Sequence, residues 1–267
     1  METRRLKNIA ILILVLLNAF LVALLGYQDL QGRRVSREMT DELRALFASE
    51  RLALSASADP LQDSLVPLTL ERQEEKESGI ASFLLGEVVP AQSQGGGIYS
   101  YSNNAGSVRF RAGGGFDAAN LSREVGDAAA FAREFCDKFN YKDVKLSIEN
   151  GSGTVTAMQY VAGVPIFGCS VVLTFENECL VSVAGAHVDL ADAATDSEEY
   201  LSCVSALVHF LDYRRSAGII CSEVREIRCV YQLHSAAMPP RLLPVWEIRT
   251  DTYTYLVDGI SAVISRK

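Results

Sequence analysis

The chain has 267 residues, of which 49% are hydrophobic and 22% are charged. This is enough apolar material for one large or two small cores. Acidic residues outnumber basic residues by 33 to 25, which gives a net charge of −8. Because nucleic-acid binding depends on clustered Lys and Arg, we expect no nucleic acid partner. The three His in the chain leave little room for a multi-histidine metal site, and we expect neither a metal nor a cofactor.

The first predicted element is a membrane helix over Ile9–Gly26. This stretch has no charged residue, and its only polar side chain is Asn18. As a helix it would span about 27 Å, close to the thickness of a bilayer core. It is longer than a typical signal-peptide core and lacks a clear cleavage site. We therefore predict an uncleaved, single-pass anchor in the cell membrane, with residues 1–8 as a cytoplasmic tail and the C-terminal body extracytoplasmic.

One face of this helix is the candidate partner-binding site. The amide of Asn18 would find no water at bilayer depth, so a hydrogen bond to a partner helix would stabilise it by about 1 kcal/mol. The alternative is that the membrane simply tolerates a single Asn. The predicted contact face consists of Ile11, Leu14, Val15, Asn18, Leu21, Val22 and Leu25.

The segment 27–118 is predicted to form a juxtamembrane helix and an N-terminal α+β part. Apolar residues in Ser36–Ser49 recur at helical spacing. The charge run Glu71–Glu77 indicates either a solvated helix face or a loop. Two short alternating runs flank a turn at Asn103–Gly106, which is typical of a β-hairpin.

The segment 119–267 repeats one order of elements. A helix is predicted over Leu121–Phe139, followed by four strands, and a second helix over Ser197–Arg215, followed by three or four strands. A helix packed on one face of an antiparallel sheet would bury the apolar side of each unit. The predicted fold class is therefore α+β, with two helix-plus-antiparallel-sheet units.

The six cysteines do not form a C-x-x-C pair, and each has apolar neighbours. We expect buried thiols that pack as small hydrophobic side chains. An exported compartment leaves one disulfide as the alternative.

Two segments carry a resemblance to a known family. Gln159–Phe167 reads QYVAGVPIF, and Leu243–Ile248 reads LPVWEI before a Tyr255–Asp258 strand end. Both resemble elements of PepSY-like exported domains. Together with the basic tail, the single membrane helix and the length, they make the chain similar to the YycI family of the YycH/YycI superfamily. The turn at Asp258–Ala262 departs from the family pattern.

The resemblance implies a regulator without catalytic residues, which controls the WalK sensor histidine kinase of Gram-positive bacteria and thereby cell-wall homeostasis. The implied partners are the sensor histidine kinase and a related YycH-type membrane protein, in a homodimer or heterodimer. The alternative is a membrane-tethered, PepSY-like inhibitor or a small-ligand-binding module.

The sequence gives little support for an enzyme. His187, His209 and His234 lie in different predicted elements, and the chain has neither a G-x-S-x-G elbow nor a phosphate-binding P-loop. Acidic pairs near helix starts are explained by capping, and the aromatics around Trp246 are expected in the core. We therefore predict a protein that is not an enzyme.

Overall fold

The computed structural model describes residues 39–55, 57–58, 64–195, 200–235 and 239–267. The helices are α1 (39–49), α2 (Glu74–Leu85), α3 (Ala128–Lys138) and α4 (Cys203–Ser216). The strands are β1 (Ala53–Leu54), β2 (Leu68–Thr69), β3 (Gln92–Gly95), β4 (Ile98–Asn103), β5 (Gly106–Phe110), β6 (Gly115–Ala119), β7 (Arg123–Glu124), β8 (Tyr141–Glu149), β9 (Ser152–Val161), β10 (Val164–Glu176), β11 (Cys179–Ala186), β12 (Ala194–Thr195), β13 (Glu223–His234), β14 (Arg241–Thr250), β15 (Thr254–Asp258) and β16 (Ile264–Arg266).

These strands form one continuous mixed sheet of 16 strands within the described residues, and β10 connects its two regions. The C-terminal part of β10 pairs antiparallel with β9 and β11. Its N-terminal part pairs in parallel with β13 at Ile166 and Phe167. Between these parts the register with β9 shifts, and Gly168 has a φ of +86°, which favours glycine. We call the two regions the β3–β11 region and the β13–β16 region.

The predicted α+β fold of two separate helix-plus-antiparallel-sheet units is wrong. The strands of the N-terminal part join the same sheet, because β6 pairs with β11. The two later groups of strands are also joined, through the parallel contact between β10 and β13. The order of elements along the chain is compatible with either arrangement, since it does not specify which strands pair over long sequence distances.

The local elements agree better with the sequence pattern. The predicted second helix, 197–215, is present as α4, which begins after the N-cap Ser202, whose hydroxyl accepts a hydrogen bond from the Ser205 amide. The hairpin of β4 and β5 is also confirmed, with Asn103 opposite Gly106. For the charge run Glu71–Glu77, where the sequence allowed either a helix or a loop, helix α2 begins at Glu74 and contains the second half of the run; its buried residues include Ile80 and Leu84.

In the described residues, the helices of each sheet region pack on one face of its strands. Helices α2 and α3 cover a core that includes Phe135, Val155 and Leu173. Helices α1 and α4 cover a second core, with Phe210 and Trp246 at its centre. On the opposite face, side chains of the same strands are more exposed and mostly polar, with Met158 and Val172 among them, as the alternating burial of β9 and β10 indicates. These uncovered faces meet where β10 pairs with β13.

In the part of the chain that the structure describes, no helix combines the length and apolar character needed to cross a bilayer. The predicted helix over 9–26 and its contact face, Ile11, Leu14, Val15, Asn18, Leu21, Val22 and Leu25, lie outside the described residues.

Candidate functional site

An open groove of about 560 Å³ lies where the uncovered faces of the two sheet regions meet. Strands β8, β9 and β10 form one wall, and β13, β14 and the last residue form the other. The volume is within the usual range of ligand sites, about 300 to 1,000 Å³. The groove is lined by Asp143, Val144, Lys145, Thr156, Ala157, Met158, Tyr160, Pro165, Phe167, Ser170, Arg228, Arg249 and Lys267.

The lining is positively charged, with four cationic side chains and one carboxylate, although the whole chain carries a charge of −8. The central charge group is built around Glu247, whose side chain is only 4% exposed. Arg228 Nε donates to its Oε2 at 2.5 Å, and Lys267 Nζ donates to Oε1 at 3.2 Å. Glu247 is shared by two cations, so the four lining cations, set against Glu247, the Arg249 partner Glu226 and Asp143, leave an excess of one positive side chain at the groove.

The ion pair also sets the protonation state of Arg228. Burial lowers the pKa of this guanidinium, but the hydrogen bond and charge of Glu247 outweigh burial, and the pKa is raised above its ordinary value. Arg228 therefore remains charged over the whole physiological pH range. A second cation, Arg249, is half exposed and pairs with Glu226 at 3.0 Å.

The opposite wall supplies aromatic and apolar surface. Tyr160 donates its phenolic hydrogen to Asp143 Oδ2 at 2.5 Å. This hydrogen bond, followed by burial, raises the pKa of Tyr160, so the phenol stays protonated at neutral pH. Lys267 Nζ lies 3.9 Å from the ring centroid of Phe167, a cation–π contact that fixes both side chains. Met158 and Pro165 extend the apolar surface.

A second polar cluster lies around His187. The cavity between this residue and Arg72 has a volume of only about 40 Å³, enough for a few water molecules at most. A separate open cleft of about 360 Å³ is also lined by His187 and Asp189. Each of the two cations around the smaller cavity has a carboxylate partner, with Arg72 paired to Glu77 at 2.8 Å and Lys76 to Asp189 at 3.1 Å, and Glu71 adds a third carboxylate to the lining. His187 Nδ1 has no hydrogen-bond partner, and burial lowers the pKa of His187 to about 4. We interpret this cluster as a structural contact between the regions.

Groups with possible nucleophilic chemistry are buried away from the groove. Burial raises the pKa of Cys136 to about 11, that of Cys169 to about 12 and that of Cys229 to about 11. These thiols are protonated at neutral pH and therefore poor nucleophiles. Five of the six cysteines are buried, and Cys179 is half buried. Among the described residues, no three His, Cys, Asp or Glu side chains are grouped as metal ligands.

Sequence reasoning did not identify the groove. Arg228 and Arg249 alternate with buried residues in β13 and β14, and this period-2 pattern could have predicted that they face away from the core. It could not have predicted that they share a surface with Lys145 and Tyr160. The expected core position of Trp246 is confirmed, since it is 0% exposed and its indole donates to the Leu201 carbonyl at 2.8 Å.

Comparison with known proteins gives no family assignment. No family model matches the chain, and no curated protein matches it. A crystal structure of an uncharacterized protein from Eubacterium rectale ATCC 33656 is similar to 80% of this chain and 85% of that chain. The sequence identity is 12% and the TM-score 0.42, a likeness that supports no argument about function. The resemblance to the YycI family gains no support from these comparisons.

Proposed function

We propose that this protein is a non-catalytic regulator that acts by binding another protein, with a two-component sensor histidine kinase as the partner class. The observation that supports binding is the groove, which combines an open shape, excess positive charge and aromatic surface. Protein interfaces are enriched in Arg and aromatic residues. The choice of a sensor histidine kinase as the partner class rests on the resemblance of the sequence to the YycI family.

The chemistry of the groove supports binding better than catalysis. Its acid–base groups are engaged with each other, as in the contacts of Asp143 with Tyr160 and of Glu247 with Arg228 and Lys267. A general base needs a pKa near the working pH and a free lone pair. The cations lining the groove are instead suited to holding anionic groups.

The test is crosslinking in the native host, followed by purification of the tagged full-length protein and identification of the crosslinked proteins. We expect a sensor histidine kinase with the wild type, and a clear loss with Arg249→Glu. The matched control is Arg109→Glu, because Arg109 is 51% exposed and pairs with Asp117 at 2.8 Å, whereas Arg249 is 50% exposed and pairs at 3.0 Å. If no kinase is recovered, the proposed partner class is wrong.

A small-ligand-binding module is the second candidate, and the groove volume of about 560 Å³ favours it. Thermal unfolding with a panel of small carboxylates and phosphates separates the two proposals. A stabilisation that saturates at micromolar ligand, without any crosslinked protein partner, would favour the module.

A further inference from the structure

We propose that the groove binds an extended, acidic segment of the partner protein, in which carboxylates alternate with apolar side chains. This inference rests on the proposed function, because it names the chemistry of the segment that a protein partner would insert. Charge, shape and the neighbouring strand edge support it separately.

The first argument is charge complementarity. The groove presents cations from separate elements: Lys145 from β8, Arg228 from β13, Arg249 from β14 and Lys267 from the chain end. An acidic ligand would find here a local positive surface on a protein that otherwise repels it. The pair of Arg249 with Glu226 is half exposed, so a ligand carboxylate can replace Glu226 at little cost.

The second argument is the arrangement of apolar and polar surface. Met158, Pro165 and Phe167 line the same groove as the cationic side chains, with Lys267 Nζ 3.9 Å from the Phe167 ring centroid, and Thr156 and Ser170 add hydroxyl groups that both donate and accept hydrogen bonds. In an extended peptide, successive side chains point in opposite directions. A segment with alternating acidic and apolar residues can therefore direct one set to the cations and the other to the apolar surface.

The third argument is the edge strand β8, which pairs only with β9 in the described sheet. Its register shifts between Lys142 and Lys145, and Asp143 within the bulge has a φ of +52°. Bulges and lysines protect an open edge from unspecific strand pairing. The same lysines would attract a strand that carries carboxylates, so they select for an acidic segment.

The experiment measures fluorescence anisotropy with the full-length protein and a labelled ten-residue peptide of alternating Glu and Val. Peptides of alternating Lys and Val, and of Gln and Val, are the controls. We expect binding of the Glu peptide only, with affinity that falls as salt screens the charges. Arg249→Gln should weaken binding about tenfold, since it removes one charged hydrogen bond. The matched variant Arg109→Gln should leave binding unchanged.

Equal binding of the Gln peptide, or equal losses with Arg249→Gln and Arg109→Gln, would overturn the inference. So would competition by inorganic phosphate or citrate at the peptide's own concentration, because it would identify a site for small anions. The proposed function is tested apart from this. If wild type and Arg249→Glu recover a kinase equally well, the groove is not the binding site, but the proposed regulatory function stands. If the peptide binds through Arg249 and no protein partner is found in the host, the groove is a binding site, but the proposed regulatory function is wrong.

Discussion

The two polar clusters between the sheet regions use the same residue types with opposite results. Around His187, Arg72 and Lys76 each have a carboxylate partner, the pair of Arg72 with Glu77 is largely buried, and the cavity between the regions has only about 40 Å³. In the groove, two cations share Glu247, Arg249 is half exposed, and about 560 Å³ stays open. Paired charges allow the two sheet regions to pack closely around His187, whereas the excess of positive side chains in the groove leaves a surface that can bind an anionic partner. Stability should therefore depend on the cluster around His187, and binding on the groove.

The largest expected effect is in the cluster around His187, at Arg72. Its guanidinium donates twice to Glu77 at 2.8 Å and once to the Gly97 carbonyl, and it lies 4.2 Å from the Tyr99 ring centroid. Burial already raises the pKa of Glu77 above its ordinary value, against the influence of Arg72. Arg72→Gln should leave this carboxylate without its partner and destabilise the protein by about 3 kcal/mol. Urea unfolding measures this loss, and a change below 1 kcal/mol would contradict the role of matched pairs.

The next largest effect is expected at Glu247. This residue belongs to the groove but is buried, so changing it should affect both stability and peptide binding. Glu247→Gln removes the charge that holds Arg228 and Lys267, whose side chains are 35% and 45% exposed and can hydrate. We expect a loss of about 2 kcal/mol in urea unfolding, the usual size for hydrogen bonds to charged groups. We also expect tighter binding of the acidic peptide, since the groove becomes more positive. Glu226→Gln, at a 36% exposed side chain, is the control and should cost far less stability. Weaker peptide binding by Glu247→Gln would show that the groove needs this carboxylate for its shape.

His187 should make the cluster around it sensitive to pH. Burial lowers the pKa of His187 from 6.5 to about 4, so protons bind the unfolded chain more readily than the folded one. The stability that neutral His187 provides is complete above its ordinary pKa and is lost as the pH falls towards the folded value. Between about pH 7 and about pH 5 we expect a loss of about 1.5 kcal/mol.

Urea unfolding at both pH values measures this loss, with His187→Gln as the reference. The raised pKa of Glu77 acts in the opposite direction near the lower pH, and the lowered pKa of Asp189 acts only below this range. Both groups are present in the variant, so the difference between the two proteins isolates the histidine. An identical pH dependence in wild type and variant would rule out the buried neutral imidazole.

The sequence predicted local elements well because their patterns are local. Helix α4 follows from apolar residues at helical spacing, although its start at the Ser202 cap was not predicted, and the β4–β5 hairpin follows from its Asn-rich turn. The pairing of strands could not be derived in the same way. Backbone hydrogen-bonding groups are alike in every strand, so nothing in the residues of β6 specifies β11 as its neighbour. The error in the fold class came from this step.

The groove was missed for the same reason. Arg228 lies in β13, Lys145 in β8 and Tyr160 in β9, and the short parallel contact of β10 with β13 joins β13 to the sheet that contains β8 and β9. From the sequence alone, each of these residues is interpreted as an exposed charged residue or as an aromatic residue in a strand. By contrast, the predicted contact face of the membrane helix comes from one continuous segment of sequence. That segment lies outside the described residues.

The smallest effect on stability should come from Arg249, and it separates the two clusters most sharply. Its pair with Glu226 joins two side chains that are 50% and 36% exposed, and such surface pairs contribute about 0.5 kcal/mol or less. Arg249→Gln should therefore unfold in urea almost like the wild type, although the same variant weakens peptide binding. Arg72→Gln should do the reverse, with a large loss of stability and little change in peptide affinity wherever the protein remains folded. If both variants lost stability and binding together, the contact between the regions and the groove would be one cooperative unit, and the division of roles between them would be wrong.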